Sequence, residues 1–295
     1  MAIEFFYAGV DPVVQAEAVG MLELCFDEWV DFRRQYGRKF PFIEHSFAAV
    51  ESGRLLAHVG VMPLEISDGC GGYWKTAGLA SVGVHPAARG RNIAHELCML
   101  AAAWAEAEKF DLMLLYTASV RVYEKSSWQI IQAPACCMYS APELRPVSDN
   151  WKSGADLSAA EKDFIRESYL ALPPLTGRVR RSDDERFFHS WRWIFANPAS
   201  RFKLTGHGYA LQIEGVLCEA AAPEGEEYLP ELLRDVNSAF LSCHDPAARF
   251  LQGNNFRSNS CIKDFTVWHG EVAMQKIFNS RVENQPLHLP LADKF

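Results

Sequence analysis

Apolar positions along the chain follow two rhythms, one of period two and one near three and a half. A short apolar run from Ile3 to Ala8 reads as a strand, and Val14, Ala18, Met21, Leu22, Cys25 and Phe26 then fall at helical spacing within 13–29. Gly37 and Pro41 interrupt the basic and aromatic stretch 32–42. Ser46 to Val50 reads as a strand that a Ser52-Gly53 turn folds back into Arg54 to Ile66. A second turn, Asp68 to Gly72, leads into a long extended segment from Tyr73 to Val84 that His85-Pro86 stops. Ile93, Leu97, Leu100, Ala101 and Trp104 then recur at helical spacing, which predicts an amphipathic helix within 92–110. Leu112 to Tyr116 has the composition of a buried strand, Ser119 to Lys125 suits a short helix, and Trp128 to Tyr139 is rich in strand formers.

The polar stretch Ser140 to Ala155, carrying Pro142, Pro146 and Gly154, predicts a boundary between two domains, 1–145 and 150–295. The second half offers a helix near Ser158 to Leu172, a Pro-Pro break and a charged, aromatic segment from Gly177 to Trp193. Strands at Phe202 to Leu204 and Gly208 to Ala221 and a helix at Glu227 to Phe240 follow. There is no exact internal repeat, although the order strand, strand, helix loosely echoes the first half. Helices interleaved with mostly antiparallel strands predict a mixed α/β (α+β) layer fold.

Composition narrows the function classes. With 49% hydrophobic and 22% charged residues over 295 positions, the chain can bury one or two cores and is not a disordered tail. The 29 Lys+Arg against 37 Asp+Glu give a net charge of −8, which repels a phosphate backbone and argues against general nucleic-acid binding. An acidic average suits a polycationic substrate, but it equally serves solubility. Eight cysteines are spread without a C-x-x-C pair, so reduced, mostly buried thiols and no metal are expected. Met1-Ala2-Ile3-Glu4 lacks the basic flank of a secretory signal, and no run approaches the roughly 20 apolar residues of a membrane span. The cytoplasm is the expected compartment, with no membrane partner. A homodimer is compatible with the sequence.

Chemistry concentrates at Leu79-Ala80-Ser81-Val82-Gly83-Val84-His85-Pro86-Ala87-Ala88-Arg89-Gly90-Arg91-Asn92-Ile93-Ala94, where an extended strand feeds a basic turn that opens a helix. Such a turn presents free backbone N–H groups at the positive end of the helix dipole, and so makes an anion site. Arg89 and Arg91 add charge, and Gly90 permits close backbone approach, a combination suited to a pyrophosphate. A solvated basic turn is the competing reading for an R-G-R tripeptide alone.

This stretch resembles the acyl-CoA motif of the GNAT superfamily of N-acetyltransferases, with Arg89, Asn92 and Ala94 at the motif positions and Asn92 standing where Gly is usual. Asn is the ordinary residue most tolerant of left-handed backbone angles. Downstream, Tyr116 to Trp128 resembles the superfamily segment in which a helix ends in Tyr-Glu-Lys before a turn and an aromatic. The two resemblances cover roughly 45 to 140 and imply a GNAT acyltransferase fold, with acetyl-CoA as co-substrate and a smaller, degenerate GNAT-like second domain. They imply that Val82 and Val84 bond the pantetheine through their main chain. They place Arg89, Gly90, Arg91, Asn92, Ile93, Ala94 and Ser119 with the cofactor, and make Tyr123 the general acid. For the base the candidates are Glu65, His58, His85 and the C-terminal carboxylate of Phe295, the last because some related antibiotic acetyltransferases use their chain end; a water chain is an equal alternative.

The amine acceptor of this fold normally meets the early helix and loop, which places Asp27, Glu28 and Trp29 at the substrate. Arg54 to Val61 and the ending Tyr123 to Trp128 resemble aminoglycoside 2′-N-acetyltransferases, and Pro174 to Arg181 with Trp191 resembles the second half of the tandem enhanced-intracellular-survival acetyltransferases. The resemblance therefore implies an acetyl-CoA-dependent N-acetyltransferase for a small-molecule polycationic amine, best an aminoglycoside antibiotic. A peptide, protein or polyamine N-acetyltransferase, or a non-catalytic acyl-CoA-binding regulator, is the alternative.

Overall fold

The period-two segments form two sheets in a computed structural model that describes residues 2–26, 30, 34, 44–131, 136–146, 148–181, 191–259, 266–267, 271–283, 285 and 287. In chain order the strands are β1 (Glu4–Gly9), β2 (His45–Glu51), β3 (Arg54–Ser67), β4 (Tyr73–Val84), β5 (Leu112–Thr117), β6 (Gln129–Ile130), β7 (Cys136–Ser140) and β8 (Lys152–Ser153). They continue with β9 (Ser200–Thr205), β10 (Gly208–Ile213), β11 (Val216–Ala221), β12 (Ser238–Ser242), β13 (Arg257–Asn259), β14 (Thr266–Val267) and β15 (Glu271–Ile277). The helices are α1 (Pro12–Leu22), α2 (Ile93–Ala107), α3 (Val120–Glu124), α4 (Ala159–Leu170), α5 (Arg192–Ala196), α6 (Leu229–Leu233) and α7 (Pro246–Gly253).

One sheet has the order β1-β2-β3-β4-β5-β15-β14, with β6 also on β15; the other runs β13-β7-β12-β11-β10-β9-β8. Pairing is antiparallel except between β4 and β5 and between β11 and β12. The expected mixed, mostly antiparallel fold is therefore the one observed. Helices cover both faces of the first sheet. Leu97, Ala101 and Ala105 of α2 pack on Phe47, Val59, Val61, Leu79 and Met113, while Ala18, Val19 and Leu22 of α1 pack with Leu55 and Ala80 on the opposite face. Among the described residues no helix is long and apolar enough to cross a membrane, and Cys25, Cys70, Cys98, Cys137, Cys218 and Cys243 are free thiols.

The two sheets exchange strands across 145–150: β7, from the first half, lies between β12 and β13 of the second sheet, while β14 and β15, from the second half, close the first. Burial accompanies the exchange, since Cys137 and Tyr139 enter the second sheet's core and Val272 and Met274 enter the core beneath α2. One expectation needs correction: the helix expected at 227–240 is wrong in its second part, where Ser238–Ser242 is the interior strand β12. Ala239 and Leu241 face one core and Phe240 another, so both faces are apolar and the run lacks the alternation that marks a half-buried strand.

The basic segment 177–181 ties the sheets together. Its main chain extends the first sheet, with Gly177 and Arg180 N–H donating to the Ser67 and Glu65 carbonyls and Ser67 N–H to that of Arg178. Its side chains reach the second half, Arg178 to Asp245 at 3.7 Å and Arg181 to Glu219 at 3.3 Å. Arg181 is 1% exposed, stacked between the rings of Tyr169 (3.9 Å) and Trp191 (4.0 Å), and the Tyr209 hydroxyl donates to the same Glu219 carboxylate. Removing one partner of such a pair leaves a buried, uncompensated charge. Arg181→Ala is expected to cost about 3–5 kcal/mol in urea unfolding, against less than about 1 kcal/mol for Arg180→Ala, whose partner Glu65 is solvent-accessible.

Candidate functional site

β4 and β5 run parallel but are bonded only where Thr76, Ala77 and Gly78 meet Leu112, Met113 and Leu114. Beyond that point the ladder stops, although β4 continues to Val84 and β5 to Thr117. The strands splay, and the edge of β4 that faces β5 along 79–84 has no partner strand among the described residues. Because the strands are parallel, their carboxyl ends lie at one edge of the sheet, and each is followed by the start of a helix. Crevices of this kind outside the carboxyl ends of neighbouring strands are recurrent ligand sites.

The turn at 89–92 combines left-handed backbone with an uncapped helix start. Gly90 has φ +81°, and a Cβ there would meet open space. Asn92 stands at the N-cap of α2 in the left-handed conformation, φ 61° and ψ 16°, which is how a residue other than glycine satisfies this turn. It makes no side-chain cap; its amide donates instead to Glu96 at 3.2 Å. The first-turn N–H groups of α2, those of Ile93 and Ala94 included, are thus left to an outside acceptor. Ser119, N-cap of α3, likewise makes no side-chain cap bond and is exposed.

Arg89 and Arg91 differ in what holds them. Arg91 grips the Glu51 carboxylate of β2 through both terminal nitrogens, at 3.1 and 2.8 Å, and that pairing pulls the Glu51 carboxyl below its ordinary range. Arg89 is exposed, and among the described residues its side chain bonds only the Val84 carbonyl, at 3.4 Å through Nε. Val82 and Val84 are partly buried on the α2 core, so what they offer the splay is main chain.

Tyr123, on α3, is 7% exposed and packs edge-on against Trp128, ring centroids 6.0 Å apart. Nearby, at the end of β5, the Thr117 hydroxyl oxygen accepts the Ser119 N–H at 2.8 Å. Burial, with the neighbouring Cys98, raises the phenol well above its ordinary value, so it stays protonated at any physiological pH. The same burial pushes the Cys98 thiol up to about 12.

The base candidates fare unequally. His58 is fully buried, with Nδ1 3.3 Å from the Ser81 carbonyl oxygen and Nε2 3.1 Å from Ser46 Oγ. A carbonyl only accepts, so Nδ1 carries the proton and Nε2 accepts from the hydroxyl. Burial lowers His58 to about 4, so it is neutral, enclosed and unsuited to take a proton from substrate. Glu65 pairs with Arg180 at the opposite end of β4, in register with Lys75. His85 Nδ1 accepts the Ala87 N–H at 3.2 Å, capping the 3₁₀ turn 86–88. Asp27, Glu28, Trp29 and Phe295 lie outside the described residues. Among the described residues no cluster of His, Cys, Asp or Glu has the arrangement of a metal site.

His58 also yields a stability prediction. The unfolded chain takes up a proton at this side chain as pH falls through about 6.5, while the folded chain resists until about 4. The contribution is complete above pH 6.5 and is lost below it. The stability difference between wild type and His58→Gln should shrink by about 3 kcal/mol between pH 7 and pH 4, read from urea midpoints.

Comparison with known proteins follows the same lines. Residues 15–131 match the family model of an acetyltransferase (GNAT) domain. The structure is similar to that of a GCN5-related N-acetyltransferase from Kribbella flavida, with TM-score 0.61 and 14% identity over 94% of this chain and 72% of that one. It is similar to Eis1 from Mycobacterium abscessus, with TM-score 0.61 and 14% identity over 94% and 73%. It is also similar to a putative acetyltransferase from Pyrococcus horikoshii, with TM-score 0.52 and 12% identity over 99% and 96%. At these identities the likeness is one of fold. No curated protein sequence matches the chain.

Proposed function

Because residues 15–131 match the family model of a GNAT acetyltransferase domain, we propose that this chain moves an acetyl group from acetyl-CoA directly to a primary amine of a small polycationic substrate, an aminoglycoside being the best single candidate. The observation that carries the reading is the uncapped start of α2, with Asn92 in the left-handed conformation, at the mouth of the β4–β5 splay. The exposed Arg89 and the N–H groups of 90–94 suit a diphosphate, and the free edge of β4 suits an extended amide-bearing arm.

The chemistry asks three things of the protein. An alkylamine, which titrates near about 10, must reach the thioester neutral. The oxyanion formed on attack needs a donor, which a main-chain N–H of the β4 edge supplies. The departing sulfur needs a proton, for which Tyr123 is placed on the helix that follows β5. No covalent enzyme intermediate is required. The likeness of Arg54 to Val61 and Pro174 to Arg181 to antibiotic-modifying acetyltransferases, and the net charge of −8, support a cationic acceptor. The spread of eight cysteines without a C-x-x-C pair supports a cytoplasmic setting.

The test is acetyl-CoA consumption against a panel of aminoglycosides, polyamines and peptides, alongside calorimetry with CoA. Turnover with aminoglycosides is expected. Turnover confined to peptides or polyamines overturns the acceptor assignment, CoA binding without turnover marks a non-catalytic acyl-CoA sensor, and absence of CoA binding overturns the reading entirely.

A further inference from the structure

A bulge interrupts β4 alongside the splay. Opposite β3, Ala80 pairs with Gly60 and Gly83 with His58, so β4 spends one residue more than β3 over this stretch. The extra residue is a bulge at Ser81, whose φ is +53°, a left-handed value costly for a residue with a side chain. The bulge reverses the parity of everything after it. Ala77 and Leu79 face α2 before it, and Val82 and Val84 face α2 after it. On the other face, Ala80 packs with α1 and Gly83 lies against Leu22, where a Cβ would come within 2.4 Å of the leucine side chain. In an unbulged strand Gly83 would turn to the α2 core and Val84 into that gap.

A left-handed serine persists only where its surroundings hold it. The group placed to do so is His58, which sits on β3 directly opposite Gly83, is fully buried, and donates from Nδ1 to the Ser81 carbonyl. Ser46, on the neighbouring β2, fixes the ring from its other nitrogen. A main-chain carbonyl turned inward at a bulge otherwise loses its ladder partner, and an unpaired buried carbonyl is expensive. We propose that His58 is a positioning residue for the acyl-donor site: its imidazole, braced by Ser46, latches the Ser81 carbonyl and so maintains the bulge that bends β4 away from β5 and presents the main chain of 82–84 to the donor. This assignment rests on the reading of the splay as the donor site, but the latch itself is a property of β4.

Asparagine and glutamine separate the two bonds. The Asn amide nitrogen lies as many bonds from Cα as Nδ1 of histidine, and that of Gln as many as Nε2. His58→Asn therefore retains the donor to Ser81 and gives up Ser46, and His58→Gln does the reverse. Crystal structures of the variants should show Ser81 left-handed in His58→Asn and relaxed in His58→Gln and His58→Leu. The KM for acetyl-CoA should rise about tenfold in Gln and Leu and by less than about threefold in Asn, with the KM for the amine unchanged in all three. A merely structural histidine would instead lower the active fraction and kcat, with Asn, which leaves the larger void, worse than Gln. Ser81 left-handed in the Leu variant overturns the latch whatever happens to CoA. Failure of the wild type to bind CoA overturns the donor reading, and the Ser81 geometry still decides the latch.

Discussion

Tyr123→Phe lowers kcat by about a hundredfold while the dissociation constant for CoA stays within about twofold of wild type, the expected result if the phenol supplies the proton that the leaving sulfur takes up. The substitution deletes one oxygen and leaves the ring where it packs edge-on against Trp128 in the core beneath α2, so a loss of turnover cannot be assigned to a collapsed helix. A phenol pushed above its ordinary value would be a poor donor to a thiolate in water, whose conjugate acid titrates near about 8.5. Burial raises the neighbouring Cys98 thiol to about 12. A sulfur released into comparable burial would be shifted in the same direction as the phenol, which narrows the gap between acid and leaving group. The wild-type rate should accordingly show no descending limb from Tyr123 up to about pH 10, because the group is lost only above its raised value. Stopped-flow assay of thiol release against pH measures both quantities. Unchanged kcat in the phenylalanine variant would reduce Tyr123 to an aromatic anchor.

Much of the candidate donor site is legible in sequence because its parts are local. Strand, turn and helix at 73–107 follow one another without interruption, and the tolerance of Asn for left-handed angles makes Asn92 legible as a substitute for glycine, the conformation it adopts at φ 61°. The bulge left a fainter trace, the shift of apolar positions from Leu79 to Val82 and Val84, which reads as noise unless the opposite strand is known. What needed three dimensions was pairing between distant segments. Trp128 to Tyr139 is rich in strand formers, but nothing local says that Cys136–Ser140 belongs to the other half's sheet, and Glu271–Ile277, which closes the first sheet, carries no sequence expectation at all. Ser238–Ser242, apolar on both faces, lacks the alternation that would distinguish it from the end of a helix. The division of labour between Arg89 and Arg91 was equally hidden, since Glu51 lies 40 residues from Arg91 in the chain.

That division sets the other large effect. Arg89→Glu should weaken CoA binding by about a hundredfold, through loss of a charge-assisted contact and addition of a like charge beside the phosphates. Arg91→Ala should cost only about threefold, because both its terminal nitrogens are already committed to Glu51. The charge reversal is informative because its effect on stability has the opposite sign. An acidic side chain just ahead of α2 (Ile93–Ala107) favours the helix dipole by about 0.3–1 kcal/mol, and Arg89 gives up no more than a long bond to the Val84 carbonyl. The variant should therefore melt no lower than wild type while binding far more weakly, so the two readings cannot be confused. Salt supplies the second discriminator: the wild-type dissociation constant rises with ionic strength, and in Arg89→Glu it should be nearly flat or fall, since screening now relieves a repulsion. Calorimetric titration with CoA at low and high salt, paired with a thermal melt, reads all of this. If Arg89→Glu binds as the wild type does, the anion at this turn is not held by the cradle at 89–94, and the diphosphate must be sought elsewhere along the edge.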